Sequence, residues 1–172
     1  MPVEVRRIHA GEGMLLRQMR LAALADAPQA FASTLEQESL RSRERWEADA
    51  ATWSEGFDSV TFFAEDAGCA LGLVGAFRSV ELSATVELVS LWVAPPVRGR
   101  RLGERLIGAV VAWAAAGGAR TVALRVASGN APARALYSRT GFLPSSESAA
   151  GAGDPGSSVE WMTRDLIAPS PG

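Results

Sequence analysis

The chain contains no lysine, a single cysteine (Cys69), a single histidine (His9) and a single tyrosine (Tyr137). Each scarcity removes a class of chemistry. One cysteine excludes an intrachain disulfide and a cysteine-built metal cluster. One histidine excludes multi-histidine metal sites, so no metal is expected, and a Ser-His-Asp triad survives only if His9 serves it. No run approaches the roughly 20 apolar residues of a membrane span. The opening Met-Pro-Val-Glu-Val-Arg-Arg lacks the apolar centre of a signal peptide, and a cytoplasmic protein is expected. A net charge of −2 gives no overall basic surface, so neither nucleic acid nor a membrane is an expected partner.

What remains is ordinary globular material. The 172 residues are 48% hydrophobic and 21% charged, which suits one domain, placed at 1–167, with a frayed tail at 168–172. The stretch from Leu88 to Trp113 stands out. An apolar, β-forming run breaks at Pro95-Pro96, an Arg-Gly-Arg-Arg turn follows, and an amphipathic helix begins. Strand, basic turn and helix in that order make an anion site, because the first N–H groups of a helix are unpaired and lie at the positive end of its dipole. Arg98, Arg100 and Arg101 crowd that end, where cations are disfavoured unless an anion offsets them.

Along the chain, Val3 to His9 alternates as a first strand and Met14 to Ala25 has helical spacing, stopped at Asp26-Ala27-Pro28. Ser33 or Thr34 caps a second helix, expected to run to about Ala51 with Leu40 and Trp46 on its apolar side. Ser59–Ala64 and Cys69–Phe77 form a hairpin, with Cys69 a small apolar filler. Ser83–Val93 reads as a central strand. The next helix carries Leu102, Leu106, Val110 and Trp113 and stops at Gly117-Gly118. Thr121–Val126 is a strand, Asn130 begins a helix ending near Arg139, and Gly141-Phe142-Leu143 is extended. A long loop spans Ser145–Ser158, and Val159–Leu166 is the last strand. The fold class is α/β, a mixed sheet with helices on both faces in the order β-α-α-β-β-β-α-β-α-β-β.

Two blocks carry a family resemblance. Val93-Ala94-Pro95 precedes Arg98-Gly99-Arg100-Arg101-Leu102-Gly103, and further on stands Asn130-Ala131-Pro132-Ala133-Arg134-Ala135-Leu136-Tyr137, followed by Gly141-Phe142. Together, in this order, they resemble the GNAT superfamily of acetyl-coenzyme A-dependent N-acetyltransferases, whose fold is a mostly antiparallel sheet of about seven strands. The likeness covers roughly Glu87 to Phe142. The stretch Arg20-Leu21-Ala22-Ala23-Leu24, with Asp26 to Thr34 after it, is similar to a pattern in some bacterial members and names no substrate.

The resemblance implies acetyl-CoA as co-substrate, lying against Leu91, Trp92 and Val93 of the strand, with the Val93 N–H facing the thioester carbonyl. Arg98, Gly99, Arg100, Arg101, Leu102, Gly103 and Glu104 would cradle its pyrophosphate, and Asn130 and Ala133 would meet it at the next helix. Asn130 also suits a helix cap. Arg101 stands where the family signature has glycine; a place inside the first helical turn, at negative φ, would permit a side chain there.

The resemblance makes Tyr137 the acid that protonates the leaving thiolate, its phenol near 10 suiting a thiol, against a plain core role. It makes Glu87 a general base. Alternation puts Glu87, Val89, Leu91 and Val93 on one face and Trp92 on the other; the alternative for Glu87 is an ion pair with an arginine such as Arg78 on the adjacent strand. With no Cys-His pair, the amine would attack the thioester directly in a ternary complex. The acceptor, a small-molecule or protein amine, would sit between the first helices and the 145–158 loop. A homodimer is left open. The rival is a non-catalytic CoA-binding or regulatory module.

Overall fold

Strand β4 (Thr85–Val93) lies at the centre of a seven-stranded sheet ordered β1-β2-β3-β4-β5-β7-β6. The computed structural model describes residues 2–145 and 158–166, so the 145–158 loop, apart from its two end residues, and the 168–172 tail lie outside the described residues. The other strands are β1 (Glu4–Arg7), β2 (Ser59–Asp66), β3 (Cys69–Arg78), β5 (Thr121–Ala127), β6 (Leu143–Ser145) and β7 (Val159–Asp165). The helices are α1 (Gly13–Asp26), α2 (Leu35–Ser39), α3 (Arg43–Glu55), α4 (Leu102–Ala116) and α5 (Ala131–Arg139), with short 3₁₀ turns at Pro28–Ala30 and Pro95–Val97. Every neighbouring pair is antiparallel except β4 with β5.

The sheet carries a core on each face, as expected of helices on both sides. On one, Leu106, Ile107 and Val110 of α4 pack with Val60, Val74, Val86 and Val122, all at 1% exposure or less except where Leu88 and Tyr137 close the rim. On the other, Leu16, Met19 and Ala23 of α1 and Trp46 and Ala50 of α3 pack with Phe63, Leu73 and Trp92.

The expected second helix is two helices. Thr34 and Gln37 form a reciprocal capping box at the start of α2, with Oγ1 accepting from the Gln37 N–H at 3.2 Å and Oε1 from the Thr34 N–H at 3.1 Å. The chain then breaks, and the Ser42 side chain accepts from the Arg45 N–H at 3.2 Å to start α3. A serine that reads as one polar turn of a continuous helix is the cap of a new one. Leu40, at the break, is 81% exposed rather than apolar-facing, while Trp46 is buried as expected. Cys69 is exposed at the start of β3 and fills no core.

The decisive departure lies within β4. Val89 pairs with Gly75 and Trp92 with Leu73, so β4 spends Ser90 and Leu91 where β3 spends Val74 alone. Ser90 takes φ 58°, the left-handed conformation of a bulge. An extra residue reverses the alternation beyond it. Val86 and Leu88, then Leu91 and Val93, pack toward α4, whereas Trp92 packs toward α1. Glu87 therefore shares its face with Val89 and Trp92, and Leu91 and Val93 face the opposite way, which corrects the single row expected from strict alternation. Arg78 is not the partner of Glu87 either. Its Nε donates to the Phe57 carbonyl at 3.0 Å, and its guanidinium lies 3.9 Å from the Phe57 ring centroid and 5.2 Å from that of Trp113.

Candidate functional site

Strand β4 is held by β3 as far as Val93 but by β5 only from Thr85 to Leu88. Beyond Leu88 the sheet parts, and β4 has an open edge. Val93 faces Gly72 while the Ala94 N–H donates to the Leu71 carbonyl at 2.8 Å. That offset marks an antiparallel pair exchanging no backbone bonds between Val93 and Gly72, so the N–H and carbonyl of Val93 turn toward the open edge. The carbonyl is taken by Arg98 Nε at 3.0 Å. A cleft of about 560 Å³ opens there, walled by Leu91, Trp92 and Val93, by the basic turn and the start of α4, and by α5.

Arg98 binds the turn to the rest of the fold. Besides the Val93 carbonyl, its guanidinium reaches Asp26 at the end of α1, and Asp26 Oδ2 also accepts from the Trp92 indole at 2.9 Å. The Trp92 N–H, and then Arg98, hold the Asp26 carboxyl below its usual 3.8. Arg98 is thus engaged by the protein itself. Gly99 (φ 82°) and Arg101 (φ 60°, ψ 22°) both adopt left-handed backbone. Arg101 is the residue before α4, not a member of its first turn; the expected negative φ is wrong. The turn must reverse there to aim the first N–H groups of α4 into the cleft, and a side chain in this conformation costs about 1–2 kcal/mol.

Leu102, Gly103 and Glu104 follow in the first turn and line the cleft, and no side chain caps them. Their N–H groups have no partner within the helix, which leaves donors for an anion. Gly103 packs closely: a Cβ there would sit 3.0 Å from Leu136 Cδ2, so glycine lets α4 start against α5 without displacing that side chain. Arg100 is exposed, as are Arg98 and Arg101, but unlike them it lies outside the cleft lining.

On α5, Asn130 caps the helix by accepting from the Ala133 N–H at 3.2 Å, and both residues line the cleft. Tyr137 lines it from within, 8% exposed and edge-on to Phe142, with ring centroids 6.0 Å apart. Burial pushes its phenol up to about 12, above the ordinary value expected from sequence, so it holds its proton throughout the neutral range.

A second concavity, about 280 Å³, lies on the other face, between α1, α3 and strands β2 to β4. Val89 and Ser90 wall this pocket, whereas Leu91 to Val93 wall the cleft, so the two meet at the bulge. Glu87 lines neither, but Val89 beside it and its cross-strand partner Phe77 both line the pocket. Asp26 and Arg20, both prominent here, were not singled out as site residues from sequence. Their partners on β4 and the basic turn stand 66 to 72 positions away, and only their place in the bacterial pattern hinted at them.

The sequence profile of the acetyltransferase (GNAT) family matches residues 22–142. The chain belongs to this family. The mycothiol acetyltransferase of Beutenbergia cavernae is 35% identical over 123 residues, 71% of this chain and 38% of that protein. The uncharacterized N-acetyltransferase YhfO of Bacillus subtilis is 33% identical over 91 residues, 51% of this chain and 61% of that protein. The matches thus span less than two thirds of either relative's length. The fold is that of the PaiA N-acetyltransferase of Thermoplasma acidophilum, solved with coenzyme A, with a TM-score of 0.74 and 16% identity over 96% of this chain and 100% of that one.

Two outcomes test this GNAT turn. Arg101→Gly relieves the left-handed strain, partly offset by the greater freedom of unfolded glycine, and should raise stability by about 0.5–1 kcal/mol in urea denaturation. Destabilisation would show that the side chain holds the turn. Asp26→Asn keeps the indole hydrogen bond and removes the charge. A depressed carboxyl stabilises the fold above its unfolded pKa and loses that contribution as pH falls through the folded one. The stability gap between wild type and Asp26→Asn should therefore be full at pH values above 3.8 and close as pH falls below it. A gap unchanged in acid would remove the charge pair from the account.

Proposed function

We propose that the protein transfers an acetyl group from acetyl-CoA to a primary amine by direct attack within a ternary complex. The observation that carries this reading is the open β4 edge beyond Leu88, running into an uncapped α4 start. The residues present fit the donor: a free strand edge suits an amide-bearing arm, and unpaired helix N–H groups suit a pyrophosphate. The bound donor supplies an activated acyl carbon and a thiolate leaving group. The names of the relatives support the same chemistry, and the Thermoplasma neighbour was solved with coenzyme A.

The chain's own part is positional and protonic. Leu102 to Glu104 offer backbone donors to phosphate oxygens, with Arg101 adding charge beside them. The Val93 N–H offers a donor at the open edge, where the acyl carbonyl would lie. As the amine forms the N–C bond and the C–S bond breaks, the sulfur gains a proton and the nitrogen loses one. Tyr137, fully protonated at neutral pH, is the group assigned to give the first. Glu87 is assigned to accept the second through water, since its neighbours Val89 and Phe77 wall the facing pocket where the amine would enter.

Acetyl-CoA at about 100 times its Kd should stabilise the protein by about 2.7 kcal/mol. Gly99→Pro, whose ring fixes φ near −65° against the native +82°, should abolish that stabilisation, and retained stabilisation would sink the cradle. In a thiol-release assay over an amine panel, Tyr137→Phe and Glu87→Gln should each lower kcat by about 100-fold with acetyl-CoA stabilisation intact. An unchanged kcat returns the residue concerned to a structural role. Stabilisation without thiol release from any amine would make the protein a CoA-binding module instead.

A further inference from the structure

The facing pocket contains a guanidinium that the fold does not neutralise. Arg20, midway along α1, is half-buried and reaches only neutral oxygens: Ser90 Oγ at the bulge, and Ser33 Oγ at 3.1 Å. Its guanidinium also lies 4.7 Å from the Phe31 ring centroid. No described carboxylate lies within ion-pair distance of it. The two acids of the pocket are committed elsewhere. Arg41 Nη1 donates to Glu38 at 3.0 Å, and the same guanidinium pairs with Asp49, which Arg45 also approaches at 3.7 Å.

The pocket wall therefore sums to three arginines against two carboxylates, and the odd charge belongs to Arg20. Burial pushes the Arg20 guanidinium down from its ordinary value, against the more distant pull of Glu38. Hydroxyls alone offset a desolvated cation poorly, whereas a carboxylate meets the guanidinium fork with two charge-assisted bonds.

We infer that the amine acceptor carries a carboxylate, bound by Arg20 in the pocket behind β4. This rests on the acetyl-transfer reading above and gives its acceptor a chemical class, an amino acid or a similarly small amino-carboxylate. The volume, about 280 Å³, is just below the roughly 300–1,000 Å³ usual for small-molecule sites, which suits only a small acceptor. Position supports the same class. Arg20 contacts Ser90, the last pocket residue before the cleft begins at Leu91, so an anion on Arg20 leaves its amine within a short molecule's length of the open edge. Nucleophilic attack there forms the N–C bond of an N-acetylamino acid, breaks the C–S bond of acetyl-CoA, and moves one proton from nitrogen to sulfur overall.

The test is a thiol-release assay with the standard amino acids, β-alanine and γ-aminobutyrate, each beside its carboxamide, and with carboxylate-free diamines. At least one acid should exceed its carboxamide by about 10-fold or more in kcat/KM. Arg20→Gln should erase that preference, chiefly through KM, and Arg20→Lys should restore part of it. Acetyl-CoA stabilisation, measured on both variants, should match wild type and so certify their folding. An acid preference that survives Arg20→Gln overturns the assignment. Turnover of carboxylate-free amines with no acid accepted also overturns it, while leaving acetyl transfer standing. Absence of acetyl-CoA stabilisation in the wild type overturns the reading beneath it, and this inference with it.

Discussion

The parting of β4 from β5 after Leu88 is the constraint on which the rest of the structure depends. A central strand that loses one neighbour exposes a row of backbone donors and acceptors, and these must be used or solvated. Here β3 continues to hold the other edge, and the bulge at Ser90 turns the strand so that pairing survives to Val93. The turn has two products. It reverses which face each later side chain meets, and it ends the wall of one concavity at Ser90 while the wall of the other begins at Leu91. One local irregularity thus brings the cleft and the pocket to adjacent residues of one strand.

The absence of lysine has a structural counterpart. Many of the junctions between elements are made by guanidinium forks. Arg7 gathers the carbonyls of Trp53, Gly56 and Ser59 at 2.8, 2.6 and 3.2 Å, fixing the end of α3 to β1. Arg6 joins Glu12 and Glu65, and Arg98 joins the Val93 carbonyl to Asp26. A planar group with several fixed donors can bridge partners on different elements, which an ammonium on a flexible stem does less well. Set against these saturated forks, Arg20 is the exception in its pocket, since the oxygens it reaches are hydroxyls.

The strand, basic turn, helix, strand and capped helix from β4 to α5 were legible in the sequence, because side-chain periodicity, Gly99, Gly103 and the Asn130 cap are local signals. The bulge was not legible. Leu91, Trp92 and Val93 are all apolar, so a shift of one residue leaves no polar side chain on the wrong face; only Ser90, a poor strand former amid apolar neighbours, marks the spot. The split of α2 from α3 hid behind Ser42 for a related reason, since a serine suits both an exposed helical face and a cap. Asp26 and Arg20 were unreadable as site residues because their partners come from β4 and the turn beyond it. Sequence reading recovers what neighbours along the chain decide and misses what the sheet brings together.

The backbone strain is distributed in a way that bears on this division. Among the described residues, four that are not glycine adopt positive φ: Ala67, Ala84, Ser90 and Arg101. Ala67 lies in the β2–β3 turn and Ala84 in the connection entering β4, where chain reversal alone accounts for such geometry. Ser90 and Arg101 lie in mid-strand and at a helix start, where regular structure would serve the fold better. Residues held this way cost about 1–3 kcal/mol each and persist only where their surroundings over-determine them. Ser90 is held between Val89 and Trp92, which pair with β3, and by its contact with Arg20; Arg101 is held by the rise of α4 from a turn strapped down by Arg98. Both strained points line a concavity, Ser90 the pocket behind β4 and Arg101 the cleft. Across β4 and α4 the fold confines left-handed backbone to Ser90 and to Arg101 at the helix start, and keeps the remaining residues of both elements regular.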